Sequence, residues 1–171
     1  MDSKENKSSN ATLHFMCGKM AAGKTTLSKR LEKEYNAVLI CEDIWLQRLY
    51  PNEISNFEDY LKYARRLRDI IIPHVKELLL KGISVILDFP ANIPVSRSWI
   101  KSIYESVNAN HVLHYLDVPN EKCIEQLKKR NEEKPDGSME MTVEQFMQIT
   151  SLFVAPTTEE GFNILIHESA E

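Results

Sequence analysis

A chain of 171 residues, 43% hydrophobic and 27% charged, has the size and balance of one domain with a full apolar core. A formal charge of −4 argues against a binder of duplex nucleic acid, which normally presents a basic domain, although net charge leaves room for a local basic cleft. No apolar run approaches the roughly 18 residues of a membrane span, and the polar residues 1–10 lack the apolar segment of a secretory signal.

Residues 1–11 are expected to form a disordered tail ahead of a single domain over residues 12–171. Cys17, Cys41 and Cys123 are isolated and fit no metal or disulfide spacing, so they read as reduced thiols of a cytoplasmic protein. Residues 12–17 form a short strand that stops at a glycine. A helix follows over residues 24–35, with Leu27 and Leu31 four apart. The continuous apolar run at residues 37–41 marks a strand buried on both faces. Residues 57–81 read as a long helix, with Pro73 as a point of kinking or breakage and Gly82 as its end.

Residues 83–87 form a second doubly buried strand, closed by Asp88. A helix over 96–107, a strand over 111–118 and a helix from Pro119 to about Arg130 come next. Residues 131–141 are polar, hold Pro135 and Gly137, and read as a mobile loop. A helix over 142–153 starts at a Thr142 cap, and residues 162–167 form the last strand. Strands alternating with helices predict an α/β domain with a parallel five-stranded sheet between helices, where ligands bind at the carboxyl ends of strands.

Gly18, Lys19, Met20, Ala21, Ala22, Gly23, Lys24 and Thr25 match the phosphate-binding pattern GxxxxGK[ST] without a mismatch, and Thr26 follows. The preceding strand and following helix supply the required context. Glycines let the backbone turn its N–H groups toward phosphate oxygens, the helix N-terminus adds partial positive charge, and Lys24 adds a full one. Thr25 offers a hydroxyl to Mg²⁺. The motif predicts binding of a nucleoside triphosphate such as ATP. It does not separate a kinase from another NTPase, although no guanine-specific NKxD motif is present.

Asp43 follows the second strand. It reads either as the base that accepts a proton from an attacking hydroxyl or as a helix N-cap. Glu42 beside it should point to the opposite face. Asp88 reads as a holder of Mg²⁺ or its water, or as a turn residue before Pro90. Arg97 reads as a contact to substrate or phosphate, or as a solvated helix residue. Arg130 reads as a lid cation closing over the transferring phosphate, or as a complement to the helix dipole. His74, His111, His114 and His167 are scattered and read as structural. Trp45, Trp99, Tyr50, Tyr60 and Tyr63 read as core or pocket wall.

From about Leu13 to His167 the chain resembles the bacterial P-loop kinases related to chloramphenicol phosphotransferase, zeta toxin and the kinase domain of phage polynucleotide kinase. The resemblance rests on GKMAAGKTTL, the strand-end Asp43, VILDFPANIPVSRSWI, LDVP and the helix ending KKRN. It implies that Asp43 is the general base and that Arg130 belongs to the lid. It also puts Asp88, Asn92 and Arg97 near the active site. Polynucleotide kinases and zeta toxins tend to carry an arginine three residues after the base, where this chain has Leu46. That departure shifts the expected acceptor from a phosphate-bearing one to a small metabolite, nucleoside or antibiotic. A nucleic acid enters only as a single-stranded 5′-hydroxyl end. The rival outside catalysis is an ATP-binding switch that hydrolyses slowly.

Overall fold

The apolar run at residues 83–87 lies inside a parallel sheet, but the run at residues 37–41, expected to be buried on both faces, is its edge strand, with Val38 exposed and Leu39 half-buried. The computed structural model describes residues 9–135 and 140–169. Five strands, β1 (Ser9–Gly18), β2 (Val38–Cys41), β3 (Val85–Asp88), β4 (Ala109–Leu116) and β5 (Ile164–His167), lie in the order β2-β3-β1-β4-β5, every pair parallel. Val85, Ile86 and Leu87 are wholly buried because β3 has neighbours on both sides and helices on both faces.

Six helices connect the strands: α1 (Lys24–Tyr35), α2 (Glu42–Leu49), α3 (Phe57–Leu80), α4 (Pro94–Ser106), α5 (Asn120–Glu133) and α6 (Val143–Thr150). One face of the sheet packs Leu13 and Phe15 against Leu67, Ile71 and Val75 of α3 and Ile100 and Ile103 of α4. The other packs Met16 and Ile86 against Leu27 and Leu31 of α1, Leu127 of α5 and Phe146 of α6. Alternation along β1 assigns its residues to the two cores.

α3 runs through Pro73 unbroken. The proline is exposed, and the buried stripe Leu67, Ile71, Val75 and Leu79 holds both halves of the helix to the sheet. Asn56 caps its start, accepting from the Asp59 N–H at 2.9 Å. α6 starts with a capping box between Thr142 and Gln145.

Three further expectations need correction. Residues 9–11 of the expected tail belong to β1, where Ser9 pairs with Ala109 of β4; residues 1–8 lie outside the described residues. Residues 131–133 of the expected loop continue α5, and residues 136–139 lie outside the described residues. Asn131 spans the base of this connection: its Nδ2 donates to Met141 O at 2.7 Å and its Oδ1 accepts from Met141 N at 3.2 Å. Finally, the sequence reading had no separate helix at α2.

Among the described residues no helix is long and apolar enough to cross a membrane.

Three histidines form a ladder across the sheet. His14 Nδ1 lies 3.0 Å from His114 Nε2, and His114 Nδ1 lies 3.0 Å from His167 Nε2. Tyr35 stacks on His14 at 4.6 Å. Burial holds His14 down at about 4, with Glu34 opposing, and His114 down at about 3, with His14, His167 and Arg30 adding to the effect. His167 is lowered by burial and then Arg30.

A histidine depressed in the fold leaves the unfolded chain holding more protons below its ordinary value. Stability is therefore complete above about pH 6.5 and falls as pH drops below it. His14 and His114 should each remove about 1.4 kcal/mol per pH unit. Melting curves at pH 7.5 and 5.5 should show a drop of roughly 5–10 °C; an unchanged midpoint would contradict the ladder's neutral state.

Candidate active site

The carboxyl ends of β1, β2 and β3 come together at Gly18, Cys41 and Asp88, with Cys41 paired to Asp88 in register. Gly18 is needed for close approach: a Cβ there would lie 3.2 Å from both Cβ and O of Leu116. Ala21 (φ 58°) and Gly23 (φ 101°) are left-handed, which curls the loop at the head of α1. Asn92 Oδ1 accepts from Gly18 N at 2.9 Å, fixing the loop's entry.

Lys24 Nζ is folded onto this loop, donating to Gly18 O at 2.7 Å and Lys19 O at 2.8 Å. Burial lowers its pKa, while Asp88 and then Asp43 pull it back up. Thr25 Oγ1 donates to Asp88 Oδ2 at 2.7 Å, and Cys41 Sγ approaches the same oxygen at 3.3 Å. Thr25 and Asp88 thus converge beside the loop. Lys19 Nζ donates to Val118 O at 3.0 Å. Met20, Ala22 and Thr26 complete the loop and the first turn of α1.

Replacing Lys24 with alanine should weaken Mg·ATP binding about 10- to 150-fold, the equivalent of one charge-assisted contact of roughly 1.5–3 kcal/mol. Calorimetry giving the same affinity in Lys24→Ala would remove its assignment to the phosphates.

Asp43 sits in the first turn of α2. The N-cap is Cys41, with no side-chain cap bond, so Asp43 does not cap this helix. Its carboxylate is 56% exposed, and Arg130 Nη2 of α5 stands 4.0 Å from Asp43 Oδ2. Desolvation raises the Asp43 pKa most, the Asp88 charge adds to it, and Arg130 and Lys24 oppose it. The charges of Asp43, Asp88, Lys24 and Arg130 therefore lie close enough to act on one another.

The structure does not bring Arg97 into this group. Its side chain is wholly buried and engaged. Nε and Nη2 donate to the Glu160 carboxylate at 2.8 and 3.0 Å, and Nη1 donates to Ala91 O at 3.0 Å and Val154 O at 2.9 Å. The expected substrate contact is corrected to an internal clamp between α4 and the chain leading to β5. Asn92 also works internally: besides holding Gly18, its O accepts from Val154 N at 2.9 Å.

Sequence reasoning set Glu42 aside, and the fold gives it a defined place. Glu42 is 1% exposed, facing away from Asp43. Its Oε1 accepts from Tyr60 OH at 2.5 Å, and its Oε2 lies 3.8 Å from Arg68 Nη2. Burial raises its pKa to about 7 against the Tyr60 bond and Arg68. Tyr60 and Arg68, eight residues apart, lie two helical turns apart on one side of α3, a spacing that could have flagged them.

Residues 13–156 match the profile of a family described as an AAA domain. The chain belongs to that family. No curated protein sequence matches this AAA-domain chain. Among solved structures, a provisionally assigned kinase of Chloroflexus aurantiacus J-10-fl is similar with a TM-score of 0.75 at 15% identity, covering 94% of this chain and 86% of its own. Kti12 of Chaetomium thermophilum, in complex with ADP-AlF3, gives 0.65 at 16% identity over 91% and 89%. The APS kinase CysC of Mycobacterium tuberculosis, in complex with AMPPNP and APS, gives 0.61 at 15% identity over 93% and 90%. At such identities these likenesses show the fold: this AAA-domain chain has the P-loop kinase fold, with the predicted parallel five-stranded sheet between helices.

Proposed function

We propose that the chain is an ATP-dependent kinase that transfers the γ-phosphoryl group of Mg·ATP to a hydroxyl of a small-molecule acceptor. The observation that carries this reading is Asp43, an exposed carboxylate at the mouth of the phosphate cradle, 4.0 Å from Arg130. In the transfer, the acceptor oxygen bonds to the γ-phosphorus as the bond to the departing ADP oxygen breaks. Asp43 takes the hydroxyl proton.

Lys24 swings from the loop carbonyls to the phosphates, and the loop from Gly18 to Thr26 holds them through its N–H groups. Thr25 Oγ1 and Asp88 Oδ2, hard oxygen donors 2.7 Å apart, fit Mg²⁺, which would take its remaining ligands from phosphate and water. Bound there, Mg²⁺ would neutralise charge on the phosphates. The rival reading, a slow ATP switch, is favoured either by the absence of an acceptor pocket around Asp43 or by a buried Asp43 that caps a helix, and the second does not hold. Asp43 is 56% exposed and α2 is capped at Cys41. The three free, buried cysteines support a reducing, cytoplasmic setting.

Arg130 is proposed to leave Asp43 and meet the charge that develops on the γ-phosphoryl oxygens. That charge is greatest in the transition state, so Arg130→Ala should lower kcat about 10- to 100-fold while shifting Mg·ATP affinity less. Unchanged kcat would reduce Arg130 to a dipole partner of α5, worth about 0.3–1 kcal/mol of stability.

The proposal as a whole is tested by ADP release from the purified chain against a panel of hydroxylated metabolites, nucleosides and antibiotics. It expects release that depends on one acceptor and is lost in Asp43→Asn. Release that never exceeds the rate in water alone counts against a kinase.

A further inference from the structure

One edge of the sheet is left open. Of the five strands, β5 alone has no buried residue among those described: Ile164 and His167 are half-buried, Leu165 is 49% exposed and Ile166 62%. At the opposite edge, β2 still buries Ile40 and Cys41. β5 also lacks the usual protections of an edge strand, since residues 163–167 read NILIH, with no Lys, Arg, Asp, Glu or Pro.

The hydrogen bonds of β5 fix which of its groups remain for another strand. Asn163 O accepts from Leu113 N at 2.8 Å, and His167 O accepts from Asp117 N at 2.9 Å. With a period of two, Leu165 also turns its backbone toward β4, while Ile164 and Ile166 turn theirs to the open edge. Side chains alternate along the same strand. Phe162 and Ile164 lean on the core beneath α3 and α4, and Ile166 and Glu168 follow on that face. Leu165 stands on the other face with His167.

We infer that β5 is the docking edge for a second copy of this chain, the two β5 strands pairing antiparallel about a two-fold axis at Leu165. Ile164 then exchanges N–H···O=C bonds with the partner's Ile166, and Ile166 with the partner's Ile164, which uses every outward group of the strand. Leu165 meets its own copy across the axis, apolar against apolar. Two residues beyond Ile166, the register sets Glu168 opposite the partner's Phe162. Lys101 Nζ lies 5.7 Å from the centre of the Phe162 ring, on the face to which Glu168 points. The contact therefore matches carboxylate to ammonium twice, once at each end. An unrelated strand would have to supply both the apolar pair and the charges, whereas a second copy brings them by symmetry. Antiparallel pairing sends the carboxyl ends of the two sheets in opposite directions, so neither phosphate loop is covered. The inference rests on the sheet and is independent of the kinase reading.

Sedimentation velocity of the purified chain across micromolar concentrations should show a dimer in exchange with monomer. Leu165→Lys sets two ammonium groups face to face on the axis and should raise the dimer Kd about 10²-fold. Ile166→Pro removes an outward N–H and no bond to β4, so it tests the same edge if Leu165→Lys folds poorly. Val38→Lys, on the β2 edge, should leave the Kd unchanged. Register is read by disulfide formation. Opposed residues of a non-hydrogen-bonded antiparallel pair have Cα atoms about 4.5 Å apart, within reach of a disulfide. Leu165→Cys should therefore cross-link to its copy under mild oxidation, whereas Ile166→Cys, two positions from its copy, should not. The native Cys17, Cys41 and Cys123 are buried.

A monomer at every concentration would overturn the inference. So would a dimer that Val38→Lys dissolves and Leu165→Lys leaves intact, or cross-linking through Ile166→Cys alone.

Discussion

Replacing Asp43 with asparagine should lower acceptor phosphorylation about 10²- to 10⁴-fold, the usual contribution of a positioned general base. The substitution keeps size and polarity and removes only the ability to take a proton at neutral pH. Asparagine is as good an N-cap as aspartate, so a capping role would survive the change. Cys41 already occupies the cap position of α2, and the Asp43 side chain is exposed with Arg130 4.0 Å away. Mg·ATP affinity should move little, because the proposed function gives the phosphates to Thr25, Lys24 and the loop N–H groups. A polar group there can still orient the acceptor, which sets the lower end of the range. Single-turnover measurements on Asp43→Asn that give the wild-type rate would sink the assignment of Asp43 as base.

The second large effect is expected on stability. Arg97→Met removes a guanidinium whose N–H groups reach Glu160, Ala91 O and Val154 O, and it takes that donor from each of them, Glu160 Oε2 keeping the Thr157 N–H. Breaking a buried pair from one side typically costs roughly 3–5 kcal/mol. Glu160 keeps 21% exposure and can regain water, so the lower part of that range applies. A fall in melting temperature of about 6–12 °C follows for a chain of this size. The Glu160 pKa, now held low by the Arg97 bond, should return toward its ordinary value. Arg97→Lys, with a single nitrogen, cannot serve the same three partners and should fall between. If Arg97 contacted substrate instead, Arg97→Met would melt like the parent and raise KM alone. That result would restore the sequence-based reading.

Part of the site is legible along the chain because its information is local. The run at residues 83–87 reads as a doubly buried strand, and Asp88 ends it at the strand's carboxyl end, whereas the run at 37–41 reads as a strand but not as the half-exposed edge strand that it is. The phosphate cradle is local in the same sense: its glycines, lysine and threonine are fixed by one turn of backbone between a strand and a helix. The parallel sheet follows from alternation, since parallel neighbours need a crossover and the helices supply it.

What the chain could not disclose are choices made between distant segments. Whether Arg97 faces solvent, substrate or Glu160 depends on where a residue 63 positions later is brought, and only the packing of α4 against the approach to β5 sets that. The histidine ladder joins residues 100 and 53 positions apart, because β1, β4 and β5 are neighbours in the sheet. The roles of Glu42 and Asp43 turn on where α2 begins. With Cys41 as the cap, one carboxylate is sealed against Tyr60 and Arg68 and the other is exposed beside Arg130. Local pattern sets backbone conformation and therefore places the chemistry at strand ends. Side-chain partnership is decided by tertiary contact, because a hydrogen bond requires two groups within about 3 Å, and sequence spacing does not measure that distance.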